Sequence, residues 1–133
     1  MLIDTSVLIG FLKGDSGEKV LLFEEILARK VPFGISALTY QEVLQGARDE
    51  KEFVRLEDYL GTQTIYYPGV DATFYEKAAS TYYTLRRKGI TCSTVDVIIA
   101  VTAVEHELAL LHADADFDAI GNHLSELKML ASL

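Results

Sequence analysis

The side chains in this sequence best equipped for chemistry are carboxylates. The stretch from Ser93 to Asp118 opens with small polar residues and Asp96, and continues into an apolar run from Val97 to Val104. A short, wholly apolar run, Leu108 to Leu111, follows, and then His112, Asp114, Asp116 and Asp118. The first run is apolar on most helical faces, which predicts a helix buried between layers. The second suits a buried parallel strand. A helix start and a strand end brought together would gather several like charges, which repel and raise one another's pKa. A divalent cation is the usual compensation. Mg2+ or Mn2+ takes hard oxygen ligands, few from the protein and the rest from water. Such an ion deprotonates water for attack and screens the charge on a phosphate.

Each acid also has a local explanation. Asp96 follows Ser93 at capping-box spacing, and Glu42 follows Thr39 in the same way. Asp4 can cap the first helix, Asp114 can serve a turn, and Asp116 can cap the last helical turn. Singly, these readings are the commoner ones. Jointly they leave something unexplained. Asp4 ends the first strand, Glu42 opens the helix after the second, Asp96 opens the helix before the fourth, and Asp114 follows the fourth. All four then lie at one edge of a sheet, which capping alone does not require.

The elements that must position these acids follow from periodicity and breakers. Short apolar strands are predicted at Met1–Asp4, Phe33–Ser36, Gln63–Tyr67, Leu108–Leu111 and Leu127–Leu130. A helix over Val7–Lys13 is capped by Thr5 or Ser6 and closed by Gly14. Asp15, with Glu18 at capping-box spacing, opens a second helix that Pro32 ends. Thr39 opens a third, and Asp49–Leu60 forms a charged fourth with Phe53, Leu56 and Leu60 on one side. Asp71 caps a long helix that ends in Arg86-Arg87-Lys88-Gly89, and Asp116–Ile120 makes a helical turn. Strands alternating with helices predict one α/β domain over residues 1–133, with a mainly parallel sheet of about five strands. In such sheets ligands sit beyond the carboxyl ends of the strands, where the winding reverses. If strands one and four are neighbours there, Asp4 and Asp114 face one crevice.

Composition narrows the classes. The 133 residues are half hydrophobic, enough for a sizeable single core. The net charge of −8 argues against a general nucleic-acid binder but not against a metal-dependent nuclease, and it suits a basic partner segment. The single cysteine, Cys92, excludes an internal disulfide and favours a reducing compartment. The first residues show no basic n-region or cleavable apolar segment, and the Val95–Leu111 run is broken by polar residues. A cytoplasmic protein with no membrane contact is expected. His106, His112, His123 and Cys92 lack zinc-like spacing. No glycine-rich phosphate loop follows a strand. The Asp114-Asp116-Asp118 alternation lacks the glycine and glutamate of a calcium loop. The Arg86-Arg87-Lys88 run makes a favourable helix C-terminus and is a candidate contact for substrate phosphates.

Three segments, taken in order, resemble a known family: Leu2-Ile3-Asp4-Thr5-Ser6-Val7-Leu8-Ile9, Ser36 through Ala47, and Asp96-Val97-Ile98-Ile99-Ala100 through His112-Ala113-Asp114-Ala115-Asp116-Phe117-Asp118. Together they look like a PIN domain, nearest to the VapC-like toxins of prokaryotic type II toxin–antitoxin systems, over nearly the whole chain. The resemblance implies a three-layer α/β/α fold and a Mg2+- or Mn2+-dependent ribonuclease. It places the family's acidic quartet on Asp4, Glu42, Asp96 and Asp114. Asp4, Asp96 and Asp114 would hold the metal, with Glu42 acting directly or through water. Thr5 or Ser6 would orient the first acid or the attacking water, and Asp116 corresponds to an additional acid found in many members. The resemblance also implies a homodimer and a small antitoxin whose C-terminal segment lies in a groove near the site. Two rival readings stand beside it. One is a catalytically weak or inactive PIN-like module that binds RNA or protein. The other is a different metal-dependent phosphoesterase, although a haloacid-dehalogenase-type enzyme would need an Asp where Ser6 stands.

Overall fold

The structure is a computed structural model that describes residues 1–133. Five short strands and seven helices alternate along the chain: β1 (Leu2–Ile3), α1 (Thr5–Leu12), α2 (Glu18–Ala28), β2 (Gly34–Ser36), α3 (Ala37–Gln45), α4 (Glu50–Leu60), β3 (Thr64–Tyr66), α5 (Ala72–Arg87), α6 (Thr94–Glu105), β4 (Ala109–Leu111), α7 (Asp116–His123) and β5 (Lys128–Met129). The strands form one wholly parallel sheet in the order β3-β2-β1-β4-β5. Leu2 of β1 pairs with Leu110 of β4, and Ile3 with Leu111. Successive strand side chains point to opposite faces. Accordingly Leu2 and Leu110 enter one core with residues of α5, α6 and α7, while Ile3, Ile35 and Leu111 enter the other with residues of α1 to α4. The result is a three-layer α/β/α sandwich. Winding runs from β1 outward to β2 and β3, then returns to β4 and β5 on the other side. The reversal therefore falls between β1 and β4, where a ligand crevice is expected.

Helix α6 is the inner member of its layer. Val97, Ile99, Ala100, Val101 and Ala103 are all buried, against the sheet and against α5 and α7. That is why its apolar residues cover every face instead of one stripe. No helix is long and apolar enough to cross a membrane, and Cys92 is buried and free.

Several helix starts differ from the sequence expectation. Asp4, not Thr5 or Ser6, is the N-cap of α1, and its side chain accepts from the Ser6 N–H. Helix α2 begins at Glu18 with Gly17 at its cap position and no side-chain cap. The Asp15–Glu18 box is not formed, because Asp15 closes the preceding turn by donating its N–H to Gly10 O at 2.9 Å. That helix ends at Ala28, and Lys30 beyond it takes a left-handed φ of 54°, so the turn precedes Pro32. Helix α3 starts at Ala37, with the Ser36 hydroxyl accepting from Leu38 N–H. Thr39 is therefore inside the helix, and Glu42 sits in its second turn with no capping role. Asp116 is the first residue of α7 and does not cap it.

Candidate active site

Asp4 leaves β1 at the reversal point. Its N–H donates to Leu111 O at 2.9 Å, extending the β1–β4 ladder by one bond. Its carboxylate is buried, at 3% exposure. Oδ2 accepts from Ser6 N–H at 3.0 Å and from the Ser6 hydroxyl at 2.6 Å. Oδ1 is buried with no hydrogen-bond partner. A carboxyl oxygen left unpaired in the interior is costly, so this atom is suited to a partner from outside the chain.

Ser6 reaches both sides of the crevice. Its Oγ also accepts from Ala113 N–H at 2.9 Å, which ties the β1–α1 junction to the loop after β4. That loop carries Asp114. The Asp114 carboxylate accepts from Asp116 N–H at 2.9 Å through Oδ1, and its carbonyl accepts from Phe117 N–H at 3.1 Å. Thus Asp114 supplies the cap expected of Asp116 and draws the α7 N-terminus into the crevice.

Asp96 approaches from the opposite layer, in the first turn of α6, where Ser93 Oγ accepts its N–H at 3.0 Å. Its carboxyl pKa is pushed up to about 6, first by burial and then by the charges of Asp4, Asp114 and Asp116, with the Ser93 hydrogen bond partly opposing them. Carboxylate oxygens of Asp96, Asp114 and Asp116 all lie within 4.8 Å of one another. The tightest trio therefore includes Asp116 in place of the deeper Asp4, which acts on Asp96 through its charge.

Glu42 comes from α3. Thr5 Oγ1 donates to Glu42 Oε1 at 2.9 Å and lies 3.1 Å from Thr39 Oγ1, a fully buried hydroxyl that completes the chain. The two hydroxyls after Asp4 thus serve different acids, Ser6 for Asp4 and Thr5 for Glu42. Glu42 also borders a groove of about 620 Å3 between α1, α3 and α4, lined by Ile9, Leu12, Lys13, Val43, Arg55 and others.

Arg86, Arg87 and Lys88 sit where α5 ends, separated from Asp96 by the loop that leads into α6. Arg86 donates to Tyr82 Oη at 3.5 Å and Arg87 to Tyr83 Oη at 3.1 Å, with the Arg87 guanidinium 5.4 Å from the Tyr83 ring centre. Neither these nor any other lysine or arginine pairs with Asp4, Asp96, Asp114 or Asp116. Asp118 is outside the trio, with Oδ1 3.4 Å from His112 Nε2. The negative charge of the crevice is thus uncompensated by the chain. Hard oxygen donors, close spacing and an orphaned buried carboxylate oxygen together fit a divalent cation. Two residues of this region were not singled out from the sequence as site residues, Thr39 and His112. Thr39 carried the wrong signal, a capping box. His112 carried a fair one, a polar residue at the end of an apolar strand two positions before Asp114.

Fold and site define a class: a three-layer α/β protein with a carboxylate crevice at the reversal of a parallel sheet. The chain belongs to the PIN domain family, whose model matches residues 1–122. Ribonuclease VapC11 of Mycobacterium tuberculosis and VapC ribonuclease Mb1587 of Mycobacterium bovis are each 28% identical to it over 123 residues, 90% of either chain. Among solved structures, VapBC2 from Rickettsia felis bound to a promoter DNA fragment matches with a TM-score of 0.71 at 18% identity, covering 97% of this chain and 96% of that one. VapBC-1 from nontypeable Haemophilus influenzae gives 0.72 at 19% identity, covering 97% and 95%. FitAcB from Neisseria gonorrhoeae gives 0.67 at 20%, covering 98% and 96%. At these identities the structural likeness is one of fold.

Proposed function

We propose that this chain is a divalent-metal-dependent endoribonuclease and the toxin of a type II toxin–antitoxin pair. The observation that carries the reading is the uncompensated acid crevice between β1 and β4, with Asp4 Oδ1 buried and unpartnered, in a PIN domain whose full-length relatives are named ribonucleases. Asp4, Asp96 and Asp114 are the metal ligands, and the position of Asp116 supports adding it to the set. When bound, Mg2+ or Mn2+ supplies positive charge for a phosphodiester's oxygens and lowers the pKa of water in the crevice. The chain's own residues do the positioning. Ser6 holds Asp4 in place through Oδ2 and leaves Oδ1 without a partner in the chain. Thr5 fixes Glu42 through Oε1, so that Oε2 is free to accept a hydrogen bond from water. Arg86, Arg87 and Lys88 are the cations available for the RNA backbone beyond the crevice.

The antitoxin is the partner for the groove beside Glu42. Ile9, Leu12 and Val43 offer apolar contacts to an amphipathic segment, and the Glu42 carboxylate at the groove's edge suits a basic residue from it. A homodimer is supported by the exposed tyrosines Tyr75 and Tyr83 of α5, beside a cavity of about 300 Å3 lined by Tyr82, Val97 and Ile98 among others.

Expression without antitoxin tests the reading. Wild-type protein should arrest bacterial growth, and Asp96→Asn, which keeps the Ser93 cap and removes one ligand charge, should not, although it accumulates as folded protein. Growth arrest by the Asn variant would sink the mechanism.

A further inference from the structure

His112 directly follows β4, and it is buried, at 8% exposure. The Asp114 N–H donates to its Nδ1 at 3.2 Å. The ring proton is therefore on Nε2, which lies 3.4 Å from Asp118 Oδ1. The ring also packs on Phe117, with centroids 5.1 Å apart. Phe117 and Asp118 belong to α7 and Asp114 to the loop before it, so one side chain joins the strand end, the loop and the helix. We propose that His112 is a positioning residue for the metal crevice. Anchored by Asp118 and Phe117, it fixes the Asp114 backbone and so the carboxylates of Asp114 and Asp116. This rests on the metal site proposed above.

The loop needs such a clamp. It carries Asp114 and leads into Asp116 at the start of α7, both close to Asp96, where like charges push them outward. The backbone N–H groups of Ala113 and Asp114 donate to no backbone carbonyl, and each goes to a side chain: Ala113 to Ser6 and Asp114 to His112. Ligand oxygens must be held within about 0.5 Å of their working positions. The imidazole also borders a cavity of about 410 Å3, lined by Lys19, Asp118, Met129 and Leu130 among others. Water entering from that cavity could still accept the Asp114 N–H if the ring were removed. It would satisfy the donor without fixing it. The expected consequence is a loosened ligand set in a folded protein.

Asn and Leu at this position separate clamping from packing. Asn places an amide oxygen near the position of Nδ1 and keeps the acceptor. Leu keeps the contact with Phe117 and has no acceptor. Mn2+ affinity is measured from the free-ion electron paramagnetic resonance signal, beside melting in chelator to establish folding. His112→Leu should melt as a folded domain but bind Mn2+ about tenfold more weakly, the usual effect of removing a residue that orients a ligand. His112→Asn should stay within about threefold of wild type, as expected when the hydrogen bond to the ligand's backbone is retained. Wild-type affinity in His112→Leu, or an equal loss in both variants, would overturn the clamp while leaving the metal site standing. Absence of Mn2+ binding by the wild type would overturn the metal site, and the clamp with it.

Discussion

At Asp96 the backbone N–H belongs to a helix cap and the carboxylate to a cluster of like charges. The first role is ordinary and was readable from Ser93 three positions earlier. The second depends on residues far away in sequence, and only the placement of Asp4 and Asp114 at strand ends hinted at it. The cluster has a measurable consequence in metal-free protein. With its folded pKa raised to about 6 from an ordinary 3.8, Asp96 binds more protons folded than unfolded between those values. Stability in chelator should therefore fall as pH rises from about 4 to about 6, and the loss should persist above that range. Asp96→Asn should remove this slope and stabilise the metal-free protein at neutral pH by about 1 kcal/mol, below the full linkage value because water still reaches the carboxylate. Chemical denaturation in chelator across this pH range checks it, and a variant whose slope matches wild type would remove the electrostatic account of the site. Glu42 and His112 mark what remained illegible at this scale. Glu42 fitted a capping box with Thr39 that the fold does not use. A hydrogen bond from a backbone N–H to His112 leaves no trace in residue spacing.

Helix starts show the same ambiguity one level up. Ser36 and Thr39 are both good caps, and only the length of β2 decides between them. The strand runs through Ser36, so the helix begins at once, and Thr39 turns inward to Thr5. Tyr40 is then the fourth helical residue, with its N–H needed by the helix. Tyr40→Pro should cost about 3 kcal/mol or more beyond Tyr40→Ala, whereas it would be mild if Thr39 were the cap and Tyr40 the first helical position. Urea denaturation midpoints of the two variants decide which start is right. Helix α6 was legible because burial on all sides leaves a continuous apolar run. Helix α5 was legible by the opposite pattern, a single buried stripe of Phe74, Ala78 and Leu85 with exposed residues such as Tyr75 and Tyr83 between them. Helix α7 was only partly legible, since its turn beyond Ile120 carries Gly121, Asn122 and His123, residues with little helix preference.

For the whole molecule, alternation of strands and helices was enough to predict a parallel α/β sheet. It was not enough to order the strands. β1, β2 and β4 are two or three residues long and almost wholly buried, so nothing in their residues marks which neighbours pair. The adjacency of β1 and β4, which brings Asp4 to Asp114, stood in the sequence only as a condition and is met in the structure. The net charge of −8 also takes on a local meaning, since part of it is concentrated in a crevice with no paired cation. The central claim is that this crevice, loaded with a divalent cation, hydrolyses RNA. The most direct measurement is cleavage of a mixed cellular RNA pool by antitoxin-free protein in Mg2+, in Mn2+ and in chelator, with Asp96→Asn alongside. Discrete products that require both the metal and the Asp96 carboxylate are the predicted result. Intact RNA in every lane from folded, metal-loaded protein, or cleavage that survives chelation or the Asn substitution, would contradict it.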